Sequence, residues 1–259
     1  SEMCIRDRIQ VIPNNSGAVS VNLNFTQLFS ELGLQDALLN PDSLRVVPYN
    51  NGQPAPPVPF EETYTTLFLD ADTLNQDETS PDPYWQAETD WTLSLDSTQI
   101  TQGTGSVNAQ VQIKDTSPAK TGVNYHFNNP AGVDWSDYEL LLYDVWPQVN
   151  NSAIDQTPDL FFFELGGLGN CPIKEINGPA LMMNTWNTAF VSLKPYGNCQ
   201  APEPSALEFL RFYVRVNRSF DNHGYFDPGD ELQLWLDNFR LLDQDGPGTI
   251  RWELSLIHI

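Results

Sequence analysis

Arg211, Arg215 and Arg218 fall within eight residues, yet the chain holds only six arginines between Ile9 and Glu253. The run Leu207–Asn217 (LEFLRFYVRVN) splits by a period of two, the repeat of a half-buried strand. Leu210, Phe212, Val214 and Val216 make one face and are expected in a core. Arg211, Tyr213, Arg215 and Asn217 make the other. A planar guanidinium suits carboxylate or sulfate groups, and its stem packs on rings. Tyr213 beside it offers an apolar ring face on which a sugar can stack. Cross-strand pairing of the arginines with acids such as Glu164 or Asp144 is the competing expectation, since opposite charges are common neighbours on a sheet.

Other aromatic candidates are Trp85 and Tyr84, in the loop-like text SPDPYWQAETD, and Tyr125, Trp91 and Trp146 within expected strands. Trp85 is flanked by proline and aspartate and is expected to be exposed. Catalytic signatures are sparse. No G-x-S-x-G elbow and no H-E-x-x-H appear. Glu164 and Asp144 are one conceivable carboxylate pair for glycoside hydrolysis, but a chain with 34 acids offers many such pairs. Cys171 and Cys199 both lie in turn-rich text (GGLGNCPI, KPYGNCQAP). They are expected to form a disulfide, or else to stand as two separate thiols.

The elements that must position these side chains are strands. Aromatic residues make up 12% of the chain, and 20 Pro plus 16 Gly punctuate it. Long helical periodicities are few, so an all-β sandwich or barrel is expected. Candidate strands are 66–69, 91–95, 106–113, 123–127, 139–146, 160–165, 186–193, 207–216 and 232–241. Ahead of them, Val19–Phe25 reads as a strand, Thr26 as the cap of a short helix ended by Gly33, and 43–47 as a second strand. The proline-rich run 54–59 reads as a stiff linker. A small N-terminal strand-helix-strand segment over 9–62 thus precedes a domain over 63–243. Residues 244–253 read as a linker and the first strand of a truncated next module. Residues 1–8 and 254–259 resemble translated sequencing-adapter read-through at the ends of metagenomic gene fragments.

The formal net charge is −22. Removing the first eight residues leaves it unchanged, because Glu2 and Asp7 cancel Arg6 and Arg8. Nucleic-acid binding needs clustered cations, so no nucleic-acid partner is expected. No apolar run approaches the ~20 residues of a membrane span, so no membrane partner is expected.

The runs LFLDAD, WTLSLD and GTGSVNAQVQI, followed by DWSDYELLLYDVW, NTWNTAFVSL, LEFLRFYVRV and GDELQLWLDNFRLL, resemble galactose-binding-like jelly-roll modules of the carbohydrate-binding kind. The resemblance covers about 175 residues and lies in the order and spacing of loose motifs. It implies a two-sheet jelly-roll β-sandwich and a non-catalytic module of a secreted bacterial polysaccharide-degrading protein. Its partners would be a polysaccharide, here an anionic one, and adjacent domains of the same chain. It also implies a structural calcium ion at Asp70, Asp72 and Asp237, where the first and last strands meet and can supply hard oxygen ligands. The ligand-binding set is then Arg211, Tyr213, Arg215, Arg218, Trp85 and Tyr125. Two other readings remain: a β-sandwich that braces a neighbouring catalytic domain, and a catalytic jelly-roll lyase or hydrolase using residues such as Arg211, Arg215, His126 and Tyr213.

Overall fold

The computed structural model describes residues 17–34, 39, 41, 44–50, 53–69, 71, 85–127, 134–150, 161–167, 173–177, 181–193, 206–216, 226–243 and 248–254. It divides into two compact units. Unit 2, Thr66–Leu242, is the expected sandwich of two antiparallel sheets.

The six-stranded sheet runs β13 (Asn187–Ser192), β10 (Leu140–Val149), β15 (Glu231–Leu242), β8 (Ser106–Gln112), β7 (Trp91–Asp96), with β5 (Thr65–Leu69) also paired to β15. The five-stranded sheet runs β12 (Ile173–Asn177), β11 (Phe161–Gly167), β14 (Leu207–Arg215), β9 (Lys120–His126), β6 (Trp85–Ala87). All nine strands anticipated in this region are present; β6 and β12 are additional. Alternation explains the layering. Val107, Ala109 and Val111 of β8 point inward, while Gln110 and Gln112 are exposed. On β14, Leu210, Phe212 and Val214 are buried on the core side as expected.

The two sheets meet on aromatic rings. Tyr143 of β10 lies 5.8 Å from Phe163, 5.1 Å from Phe212 and 5.6 Å from Phe239. Phe163 and Phe212 in turn pack edge to face at 5.1 Å. Burial of its hydroxyl pushes the Tyr143 phenol far above its ordinary range. Where β10 meets β15 there is a bulge. Leu142 pairs Arg240 and Asp144 pairs Asp237, so Asn238 and Phe239 together oppose Tyr143. Asn238 absorbs the extra residue at φ 52°, a left-handed conformation that asparagine tolerates.

Unit 1 contains β1 (Gly17–Asn22), α1 (Phe25–Glu31), the short β2 (Tyr49–Asn50) and β3 (Gln53–Pro54), β4 (Phe60–Glu62) and β16 (Thr249–Leu254). Three sequence expectations need correction here. The helix cap is Asn24, whose side chain accepts from the Gln27 N–H at 2.8 Å, rather than Thr26. The proline-rich run is not an extended linker. It folds back, with β2 paired to β3 and Val58 N–H donating to Val46 C=O. The strand expected to open a further module is the central strand of this unit's own sheet, since β16 pairs β1 along Gly17↔Leu254 to Asn22↔Thr249 and pairs β4 on its other edge. Tyr64 pins the unit. Its hydroxyl donates to Leu23 C=O (2.6 Å), and its ring occupies the space a side chain at Gly248 would need.

Candidate functional site

The outward face of the five-stranded sheet collects the cationic strip. Register decides what each cation meets. Arg211 lies directly across from Glu164 on β11 and from Asn124 on β9. Glu88, one residue past β6, arrives beside it because β6 pairs β9 at Trp85↔Tyr125 and Gln86↔Asn124.

The resulting cluster is closed and polar. Arg211 Nε lies 2.7 Å from Glu88 Oε1, and Nη2 donates to Glu88 Oε2 at 2.9 Å. Nη1 donates to Glu164 Oε2 at 2.9 Å. Glu88 is itself held in place: Oε2 accepts from the Gly122 N–H at 2.9 Å and Oε1 from Asn124 Nδ2 at 3.2 Å. Lys120 Nζ stands 3.6 Å from Glu164 Oε1. Two cations therefore face two carboxylates, and the group sums to zero charge. Burial of the guanidinium works to lower its pKa, but the hydrogen bonds to Glu88 and Glu164 outweigh it, and the net shift is upward.

Tyr213 lies beneath this layer. Lys120 Nζ and Arg211 Cζ each sit 4.9 Å from its ring centroid, and the residue is only 1% exposed. Gly122 makes room for it. A Cβ there would come within 2.7 Å of Tyr213 Cα and 2.0 Å of Phe212 O. Further along the same face, Phe209 covers Gly166 in the same way and packs 5.7 Å from His126. Burial lowers the His126 pKa, opposed by Glu208.

The candidate residues thus separate. Arg211, Tyr213 and Arg215 share the expected face, with Arg215 across from Lys120. Tyr213 is a buried platform for cations, a correction to the exposed stacking ring expected of it. Trp85 and Tyr125 point the other way, into the core, at 2% and 1% exposure, their rings 5.2 Å apart. The physical reason is that Trp85 opens β6 and so alternates inward, where a large apolar ring is best buried. Arg218, Asn217, Cys171, Cys199, Asp70 and Asp72 lie outside the described residues.

Asp237 is fully buried, and its Oδ2 accepts from Thr101 N (2.6 Å), Thr101 Oγ1 (2.9 Å) and Gln102 N (2.9 Å). Its Oδ1 accepts from Asn238 N at 2.7 Å. Burial raises its pKa against these hydrogen bonds. A carboxylate so fully engaged by donors does not fit the role of a cation ligand. Among the described residues no three potential metal-binding side chains cluster.

Glu164 and Asp144 do not face one another. Phe163 and Leu165 are core, so Glu164 points outward from the five-stranded sheet; Tyr143 and Val145 are core, so Asp144 points outward from the six-stranded one. The whole core separates them. Asp144 instead accepts from Thr188 Oγ1 and Asn238 Nδ2, each at 2.9 Å.

No family model and no curated protein matches the chain. Solved structures do. An exo-β-agarase matches at 9% identity and TM-score 0.44, over 70% of this chain and 25% of that one. A family 22 carbohydrate-binding module from Clostridium thermocellum matches at 12% identity and TM-score 0.37, over 64% and 89%. A xylan-binding family 22 module from Paenibacillus barcinonensis matches at 12% identity and TM-score 0.38, over 68% and 92%. The chain thus corresponds to about a quarter of the agarase it matches.

Proposed function

We propose that unit 2 is a non-catalytic polysaccharide-binding module, part of a secreted polysaccharide-degrading protein, and that its ligand is a neutral glycan held across the outward face of the five-stranded sheet. The observation that carries this is the Arg211 cluster. Its members sit on adjacent strands or, for Glu88, one residue past one, as a site built on rigid elements requires. The Arg211, Glu88 and Lys120 side chains remain 19%, 27% and 41% exposed. Arg211 donates one N–H of each Nη to a carboxylate, which leaves the second N–H of each for sugar hydroxyls. The Arg211, Lys120, Glu88 and Glu164 group therefore offers donors to hydroxyls at no net charge of its own.

An anionic glycan, the ligand expected from the arginine strip, is less well served. Each of its carboxylates or sulfates would have to compete with Glu88 and Glu164 for the same guanidinium. The lyase reading is also weakened, because Tyr213 is buried under Arg211 and Lys120 where no substrate proton can reach it directly.

Affinity electrophoresis through arabinoxylan, glucomannan and agarose, against alginate and carrageenan, tests the proposal. Retardation in at least one neutral gel, weakened in Arg211→Gln, is expected. Retardation confined to the anionic gels overturns the ligand class, and no retardation in any gel leaves a bracing sandwich.

A further inference from the structure

The opposite side of the sandwich carries a different chemistry, set out in rungs. On the outward face of the six-stranded sheet, Trp146 pairs Trp235 across β10 and β15, and Trp186 packs edge to face on Trp146 at 6.0 Å. Trp235 reaches over β8 to β7, where its Nε1 donates to Asp96 Oδ2 at 2.9 Å. Trp146 and Trp186 stay half-exposed at the rim of this ledge.

Two residues along, the next rung is amide. Gln148 pairs Gln233, Gln233 pairs Gln110, and Gln110 pairs Thr92. Three of these four side chains are exposed and Gln233 is half-buried. Strands lie roughly 4.8 Å apart, so this rung runs about 14 Å across the sheet. The rung beyond holds Glu231 and Gln112, with Gln112 Nε2 donating to Glu231 Oε1 at 3.2 Å.

Composition makes this face unusual for the chain. Four of the six side chains on these two rungs are glutamine, in a chain with 15 glutamines among 259 residues. Glu231 is the one charged side chain on these two rungs. Sheet surfaces favour β-branched and aromatic residues, and ordering a long glutamine costs side-chain entropy. The amides therefore do not serve the strand. Each presents a carbonyl acceptor and an N–H donor pair, the complement of a hydroxyl that donates and accepts. Bordering indoles offer flat apolar surface for sugar C–H groups. On these two rungs an anion meets no cation, and the other acids of the face, Asp96 and Asp144, are already engaged by Trp235, Thr188 and Asn238.

We propose that this face is a second polysaccharide-binding surface, specific for neutral chains, in which the Gln148–Gln233–Gln110 rung hydrogen-bonds hydroxyls and the Trp146–Trp186 ledge stacks a sugar ring. It shares no residue with the Arg211 cluster, and the two sites lie on opposite outward faces, so each stands or falls alone.

The test uses the full chain, arabinoxylan and glucomannan as probes, and two variants: the triple Gln110→Ala/Gln148→Ala/Gln233→Ala and the single Trp186→Ala. Surface changes of the first kind leave the melting temperature essentially unmoved. The triple variant is expected to lose about fivefold or more in affinity for at least one glycan. That loss persists at high salt, because no ion pair is involved. Trp186→Ala is expected to weaken the same glycan. Wild-type affinity in the triple variant, or no binding of either glycan by the unaltered chain, overturns the inference. Loss in Arg211→Gln with wild-type behaviour in the triple variant confines binding to the five-stranded face and overturns it too. Loss in the triple variant alone supports it while refuting the Arg211 site.

Discussion

Replacing Arg211 by methionine strips the guanidinium from two carboxylates and a ring at once. Glu164 retains Lys120, but at 3.6 Å rather than 2.9 Å, and its side chain is 5% exposed. Glu88 keeps the Gly122 N–H and Asn124 and is more open at 27%. Removing one partner of a fully buried ion pair costs about 3–5 kcal/mol, and an exposed pair is worth about 0–1 kcal/mol. Glu164 sits near the first limit and Glu88 nearer the second. The lost cation–π contact with Tyr213 adds about 0.5–1 kcal/mol. A net loss of about 3–4 kcal/mol follows, equivalent to a fall in melting temperature of about 6–15 °C for a domain this size. Urea unfolding followed by tryptophan fluorescence measures it. A second substitution, Glu164→Gln, in the Arg211→Met background should return about 1–2 kcal/mol, because it removes the stranded charge. A loss below about 1 kcal/mol in the single variant, or no recovery in the double, would refute the view that this cluster is a desolvated and mutually dependent unit.

Two further outcomes follow from the geometry. Gly122→Ala drives a methyl into the Phe212 carbonyl and the Tyr213 backbone, both parts of a central strand that cannot swing aside. A loss of about 2–3 kcal/mol or more is expected by thermal melting, and a melting temperature within about 2 °C of the parent would refute it. Asp96 is held at a pKa of about 2, below the ordinary 3.8, first by the Thr98 side chain, then by Trp235 and by backbone N–H groups. A folded-state pKa below the unfolded one gives stability that is present above pH ~4 and disappears as pH falls toward ~2. Asp96→Asn should therefore be less stable than the parent at neutral pH, with the deficit closing across that acid window; a deficit that stays constant with pH would show that the carboxylate's charge is irrelevant.

How much of this was legible in the sequence depends on the range of the information. Alternation is local, so β8, β14 and β15 and their inward faces can be read directly. Glu164 is likewise nameable as a partner for Arg211, because it sits in an obvious strand. Glu88 is not, since it lies 123 residues from Arg211 and follows a three-residue strand inside acidic, proline-punctuated text. The same short strand explains Trp85. Its neighbours read as loop, and only the pairing with β9 turns the indole inward. β16 was opaque for a related reason. Its partners β1 and β4 lie at the other end of the chain, and nothing within Thr249–Leu254 distinguishes a returning strand from one that begins a new domain.

Charge bears on the proposed ligand class in a way that neither face shows alone. A net charge of −22 surrounds the sandwich with a negative field that repels anionic polymers before any contact forms. Screening at physiological salt confines that field to about 8 Å but does not reverse it. To hold an anionic glycan, the chain would need an unneutralised cationic patch strong enough to overcome the surrounding repulsion. In the strip that might have supplied it Arg211 is matched: it and Lys120 stand against Glu88 and Glu164. Uncharged hydroxyls feel little of the long-range field and answer only to short-range donors, acceptors and ring faces. Those are what the Arg211 cluster and the glutamine rungs offer. Binding carried by them varies little with ionic strength, whereas an electrostatically held ligand strengthens at low salt and fades at high salt. A salt titration on any glycan that the protein retains therefore separates the two physical origins: affinity that falls steeply between low and high ionic strength would mean that the carboxylates do not neutralise the guanidinium as their geometry implies.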